Sequence, residues 1–209
     1  MRKVLLPVVV LVLALSTFAT ANELINGSWE LGNDSFWVRS GGEIVDLNTW
    51  YANPGPAPGE TDVYGYGIAS CWGISEGSIL QEVYCDSGVY NVSVSGWLQA
   101  KDGGVYPSWI ELRLLIDDQL VATERVEVTG GDTGWVQKTI NWTGSITAKK
   151  TVQIAGQANA WGGPSEWPWG IVYADGIVMT QELVPEPSSL MALVSGLGAL
   201  AGIAFRRRK

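Results

Sequence analysis

Eleven tryptophans and no histidine set the range of chemistry open to this chain. Without an imidazole there is no Ser-His-Asp triad, no histidine general base and no histidine-ligated zinc. Stacking and hydrogen bonding remain. Trp50-Tyr51, Tyr106-Pro107-Ser108-Trp109, Trp161 and Trp167-Pro168-Trp169 fall in or beside turn-rich sequence. A flat ring on a proline-stiffened loop is a platform for the apolar face of a pyranose, and it fixes orientation at low entropic cost. Trp50, Tyr51, Tyr106, Trp109, Trp161, Trp167 and Trp169 are therefore the candidate ligand-binding residues. The competing reading is that these rings cap the ends of the fold or mediate assembly. Trp29, Trp97 and Trp135 lie in strand patterns and read as packed, with an indole N–H that wants a partner.

Acids are plentiful and could in principle run glycoside hydrolysis. No pair stands out by motif, and Glu111, Asp117, Asp118, Glu124 and Glu166 read as solvated strand or turn residues. Cys71 and Cys85 are the only cysteines, and an exported chain would be expected to join them as a disulfide across the intervening turn and strand.

The elements that position these residues read as β almost throughout. Ser78–Tyr84, Val89–Gln99, Trp109–Ile116, Gln119–Val128, Trp135–Trp142, Thr151–Trp161 and Ile171–Thr180 are rich in β-branched and aromatic residues. Val92, Val94, Gly96 and Leu98 alternate with Asn91, Ser93, Ser95 and Trp97, while Ile110, Leu112, Leu114 and Ile116 oppose Glu111 and Arg113. This period of two suits antiparallel sheets with one wet face. Asp86-Ser87-Gly88, Asp117-Asp118 and Gly130-Gly131-Asp132 punctuate the runs as turns. The expectation is an all-β antiparallel sandwich, a jelly roll, over residues 22–181, with long loops at Asn48–Asp62 and Gly162–Gly170.

The two ends read as addresses. Met1-Arg2-Lys3, an apolar run from Val4 to Leu15 and Ala19-Thr20-Ala21 have the form of a secretory signal peptide covering residues 1–21, with Asn22 as the mature start. At the other end, residues 182–189 form a linker. From Ser188 to Phe205 no charge occurs, and a helix over those 18 residues spans roughly 27 Å against a hydrocarbon core of ~30 Å. Residues 190–205 are the expected transmembrane helix, and 206–209 (Arg206, Arg207, Arg208 and Lys209) the cytoplasmic tail. The chain has 13 basic and 21 acidic residues. Six of the basic residues lie outside Asn22–Val184, and Glu186 is the one acid outside that stretch. The stretch between keeps seven basic against 20 acidic residues, a net charge of −13. Such a domain repels nucleic acid and anionic lipid.

Val184-Pro185-Glu186-Pro187, the apolar run and the Arg206–Arg208 cluster resemble the PEP-CTERM bacterial sorting signal in order and spacing. The resemblance implies an exported protein of a polysaccharide-producing bacterium, handled by an exosortase that cuts near the motif and leaves it at the cell surface or in the extracellular matrix. An ordinary membrane anchor would have no reason to carry Pro-Glu-Pro at its entrance.

Leu24–Glu30, Gly77–Val83 with Gly88–Ser93, and Ile171–Ile177 together resemble the galactose-binding-like jelly rolls that include many carbohydrate-binding modules. Trp29 stands where Phe is commoner, and Asp175-Gly176 where many relatives have two acids. The resemblance implies a structural calcium ion on Glu30 and Asp175, which suits a hard cation seeking carboxylate oxygens. The function expected is non-catalytic binding of extracellular polysaccharide. A matrix protein without a glycan ligand and a small glycan-active enzyme are the alternatives.

Overall fold

The computed structural model describes residues 22–50, 54–61, 63–102, 104–160 and 169–184. The expected signal peptide, Tyr51, Trp161, Trp167, Pro185–Pro187, the apolar C-terminal run and Arg206–Arg208 lie outside them. Among the described residues no helix is long and apolar enough to cross a membrane.

The described chain is all β. Its strands are β1 (Val38–Ser40), β2 (Glu43–Asp46), β3 (Tyr64–Ser70), β4 (Ile74–Tyr84), β5 (Gly88–Asp102), β6 (Ser108–Ile116), β7 (Gln119–Val128), β8 (Gly131–Asp132), β9 (Val136–Ile146), β10 (Lys149–Asn159) and β11 (Gly170–Leu183). One sheet runs in the order β1-β4-β10-β6-β7. The other runs β2-β3-β11-β5-β8, with β9 also pairing β5. Every pairing is antiparallel. We call these the first and second sheets.

The alternation read in the sequence places the core. Ile110, Leu112, Leu114 and Ile116 of β6 face Val92, Val94 and Leu98 of β5 and Val172, Ala174 and Met179 of β11, all buried in one cluster between the sheets. Burying each aliphatic side chain stabilises by about 1.5–3 kcal/mol, which makes the two facing stripes the main source of stability. Trp29 is fully buried at one edge of that core, with Trp37 and Tyr66 at centroid distances of 5.3 and 6.3 Å. Asp117 and Asp118 both adopt positive φ (47° and 68°) and form the two-residue turn of the β6–β7 hairpin, where Asp tolerates the left-handed region.

Each of the seven strand runs of the sequence corresponds to a strand, most of them longer at one or both ends, although β9 begins only after Trp135 and β10 ends at Asn159. Short strands β1, β2, β3 and β8 are additions. In β3, Tyr64-Gly65-Tyr66-Gly67-Ile68-Ala69-Ser70 is too rich in small residues for a propensity signal, and it is held by tertiary packing between β2 and β11.

Candidate functional site

The outer face of the second sheet carries an apolar layer of its own. On β11, Val172 and Ala174 enter the sandwich core, while Ile171 and Tyr173 join Val45 and Leu47 in a second cluster. Trp50, Ala69, Trp135 and Trp169 pack over it. Tyr173 is fully buried there, edge-on to Trp50 at 5.6 Å and 75°, and 6.2 Å from Trp135. Burial pushes the Tyr173 phenol well above its ordinary range, and the negative charge of Asp132 adds to the shift.

Local chemistry explains where Trp50 goes. The Asp46 carboxylate accepts the Asn48 N–H at 2.9 Å, and the Asp46 carbonyl accepts the Trp50 N–H at 2.8 Å. This Asx turn folds the chain after β2 back over β3. Trp169 stands immediately before Gly170, which opens β11.

Between the two indoles lies an opening of about 400 Å³, bordered by Glu43, Glu76, Ser75 and Cys71, with Gly67 and Ile68 of β3 among its lining. Glu43 and Glu76 are exposed, and among the described residues neither makes an ion pair. The arrangement combines two aromatic rings with two carboxylates able to accept hydroxyl protons.

Of the residues proposed from the sequence, Trp50 and Trp169 come together here. The other two described candidates do not join them. Tyr106 is 58% exposed and borders a separate opening with Ile74, Pro107, Gln157 and Asn159. Trp109 is a strand residue of β6, and the Arg125 guanidinium lies over its ring at 4.3 Å. Glu43 and Glu76 escaped sequence reading, since each is an isolated acid beside glycine with no motif around it. Trp135 belongs to the outer layer, whereas its strand-like setting suggested core.

The expected disulfide does not form: Cys71 and Cys85 are free thiols. They follow β3 and β4, so the whole 11-residue β4 separates them. At ~3.3 Å per residue that is roughly 36 Å, far beyond the ~7 Å Cα limit for a bridge.

The two residues of the expected calcium pair lie in different settings. Asp175 is fully buried at a register shift between β11 and β5. Its oxygens accept the Ala57 N–H at 3.0 Å and the Gly176 N–H at 2.7 Å. Gly176 has φ +58°, a backbone conformation that favours glycine. Glu30 is exposed. The carboxylate beside Asp175-Gly176 is that of Glu60: a β-carbon built on Gly176 would meet its Oε1 at 2.7 Å. Ser28 Oγ donates to Glu60 Oε2 at 3.1 Å. Among the described residues no three Asp, Glu, Cys or His side chains converge to hold a metal.

Comparison with known proteins defines the class first: a β-sandwich of the kind found in carbohydrate-binding modules. A family 61 module, TmCBM61, solved in complex with β-1,4-galactotriose, is similar at TM-score 0.55 and 23% identity, over 78% of this chain and 100% of that one. A family 16 module has TM-score 0.42 and 17% identity over 76% and 99%. The family 22 module and glycoside hydrolase modules of a Clostridium thermocellum xylanase, complexed with xylohexaose, give TM-score 0.44 and 16% identity over 79% and 29%. No curated protein sequence matches the chain. To this sandwich the chain adds a PEP-CTERM protein-sorting motif, matched over residues 183–209. Val184, which directly follows β11, donates its N–H to the Val89 carbonyl at 2.8 Å, which ties the motif's first residues to the start of β5.

Proposed function

We propose that this chain is an exported protein, sorted by an exosortase to the cell surface or extracellular matrix, whose sandwich binds polysaccharide without cleaving it. The observation that carries this reading is the opening between Trp50 and Trp169, with Glu43 and Glu76 on its rim. Indoles stack against the C–H face of a pyranose, and the carboxylates take its hydroxyl protons. The sorting motif supports the cell-surface reading, and the sandwich fold shared with a galactotriose-binding module supports the ligand class.

Calcium belongs to the same proposal as a structural ion. Asp175, Glu60 and Ser28 are hard oxygen donors that suit it in kind, and backbone carbonyls or water would complete its shell. Bound there, it would tie residues 57–60 to β11.

A glycan array with the full-length chain tests the reading. Selective binding is expected, and it should be lost in the Trp50→Ala/Trp169→Ala variant while the fold persists. A second reading, self-association in a matrix, is favoured by exposed Trp72 (73%), Ile74, Val105 and Tyr106 near one end of the sandwich. Sedimentation of the same preparations separates it from the first: assembly without glycan binding would put the matrix reading ahead.

A further inference from the structure

We infer that the Trp50/Trp169 cleft continues over the edge of the sandwich onto the outer face of the first sheet, forming one extended path for a linear, uncharged polysaccharide. The inference rests on the glycan-binding reading above and adds the extent of the site and the charge of its ligand.

A second opening of about 340 Å³ lies on the first sheet, bordered by Ser40, Glu76, Ser78, Trp109 and Arg113. Glu76 borders both openings. Two chain segments run from one opening to the other. Ser40 lines the second while Gly42 and Glu43 line the first; Ser78 lines the second while Ser75 lines the first.

Between the openings run Gly41, Gly42 and Gly77, with the Arg39 guanidinium donating to the Gly42 carbonyl and its charge met by Asp34 at 2.9 Å. Gly41 and Gly42 have φ of +77° and +67°, and Gly77 packs against them. A β-carbon on Gly41 would meet the Glu76 carbonyl oxygen at 2.6 Å, and one on Gly77 would meet the Gly41 carbonyl carbon at 2.8 Å. No side chain can be accommodated at either position without moving backbone, and these glycines bring the two strands together between the clefts with no side chain of their own.

Trp109 supplies a third ring at the far end. It is held in place before any ligand arrives: Arg125 lies over its ring, Arg125 also pairs with Glu111 at 3.2 Å and with Glu127, and Arg113 pairs with Glu111 at 2.7 Å. A ring fixed in this way loses little freedom on binding. The same ion pairs neutralise both arginines. What a passing polymer meets is therefore the carboxylates of Glu43 and Glu76 within a domain of net charge −13. A uronate or sulfated chain would be repelled, whereas a neutral chain offers hydroxyl donors.

The test is titration calorimetry on the full chain with β-1,4-linked galacto-, xylo- and cello-oligosaccharides as disaccharide, tetrasaccharide and hexasaccharide, together with polygalacturonate. At least one neutral series should gain about tenfold or more from disaccharide to hexasaccharide, as a second subsite becomes reachable. Trp109→Ala should remove that gain. Ser78→Arg, which fills the second opening without disturbing the core, should do the same. Affinity independent of length, a gain that survives both substitutions, or polygalacturonate binding as tightly as the neutral chains would overturn the inference while leaving the Trp50/Trp169 cleft standing. Failure of every oligosaccharide to bind would overturn the underlying reading as well.

Discussion

The indole of Trp50 rests on Gly67 of β3, so closely that a β-carbon there would meet the ring at 2.4 Å. Glycine at this position is what lets a loop tryptophan lie flat against the sheet and form one wall of the cleft. Gly67→Ala should therefore lift the ring off β3. Overpacking of this kind costs about 1–3 kcal/mol of stability, and a displaced wall should weaken glycan binding about tenfold or more. Urea unfolding and binding titration of the one variant measure both effects. Unchanged affinity would mean that Trp50 is part of the packing alone.

Calcium at Asp175 should raise the unfolding midpoint relative to a chelator. At a free concentration 100 times the dissociation constant the gain is about 2.7 kcal/mol. Glu60→Gln should shrink that gain, and Glu30→Gln should leave it intact, because Glu60 rather than Glu30 is the carboxylate beside Gly176. The opposite ranking would restore the pair expected from the sequence motif.

How far the sequence reveals this molecule depends on which residues are asked. Ile110 to Ile116 and Val92 to Leu98 announce their strands, because one buried face imposes a period of two on the side chains. Tyr64–Ser70 does not: Gly65 and Gly67 are glycine because Leu47 and Trp50 press on them, a constraint set by residues distant in sequence. The site divides in the same way. Trp50 and Trp169 were legible as loop aromatics. Glu43 and Glu76 become partners only when β2 and β4, in different sheets, meet at the edge of the sandwich. The cysteine pairing failed because the strand read at Ser78–Tyr84 is extended over its whole length and carries Cys71 and Cys85 to its opposite ends.

Asp117 should make the fold sensitive to acid. Its Oδ2 accepts from Thr147 N–H at 2.8 Å and Thr147 Oγ1 at 2.7 Å, and its Oδ1 from the N–H groups of Ala148 and Lys149 at 2.9 and 3.1 Å. These donors, the Thr147 hydroxyl foremost, hold the carboxyl well below the ordinary aspartate range. A depressed folded value means that the contribution is fully present above the unfolded value of about 3.9 and is lost as pH falls through the folded one. Asp117→Asn should therefore be less stable than the parent at neutral pH, with the gap narrowing progressively below about pH 4. Urea midpoints for the two proteins across that range decide it; a gap that stays constant with pH would assign the effect to turn geometry instead of charge.

Lys150 brings a cation into the base of the core. The residue is fully buried, its Nζ donates to Gln181 Oε1, and it lies 5.4 Å from the centroid of the Tyr90 ring. Among the described residues it makes no ion pair. Burial pulls its pKa down; the neighbouring Cys85 and Glu23 side chains oppose this. Between that lowered folded value and the unfolded value of about 10.4, the unfolded chain binds more protons than the folded one, so stability rises with pH. Removing the amine together with its acceptor, in Lys150→Met/Gln181→Leu, should abolish that rise. Thiols ordinarily ionise at about pH 8.5 and tyrosines at about pH 10, so the comparison belongs below about pH 8. Because a buried charge costs more in lost hydration than an amide and a ring face return, the double variant should match the parent at neutral pH or exceed it by up to about 4 kcal/mol. Chemical unfolding of both proteins at a series of pH values measures the slope and the offset together. A double variant weaker by more than about 2 kcal/mol would show instead that Gln181, Cys85 and Tyr90 hold the ammonium well enough for it to be a net support of the fold.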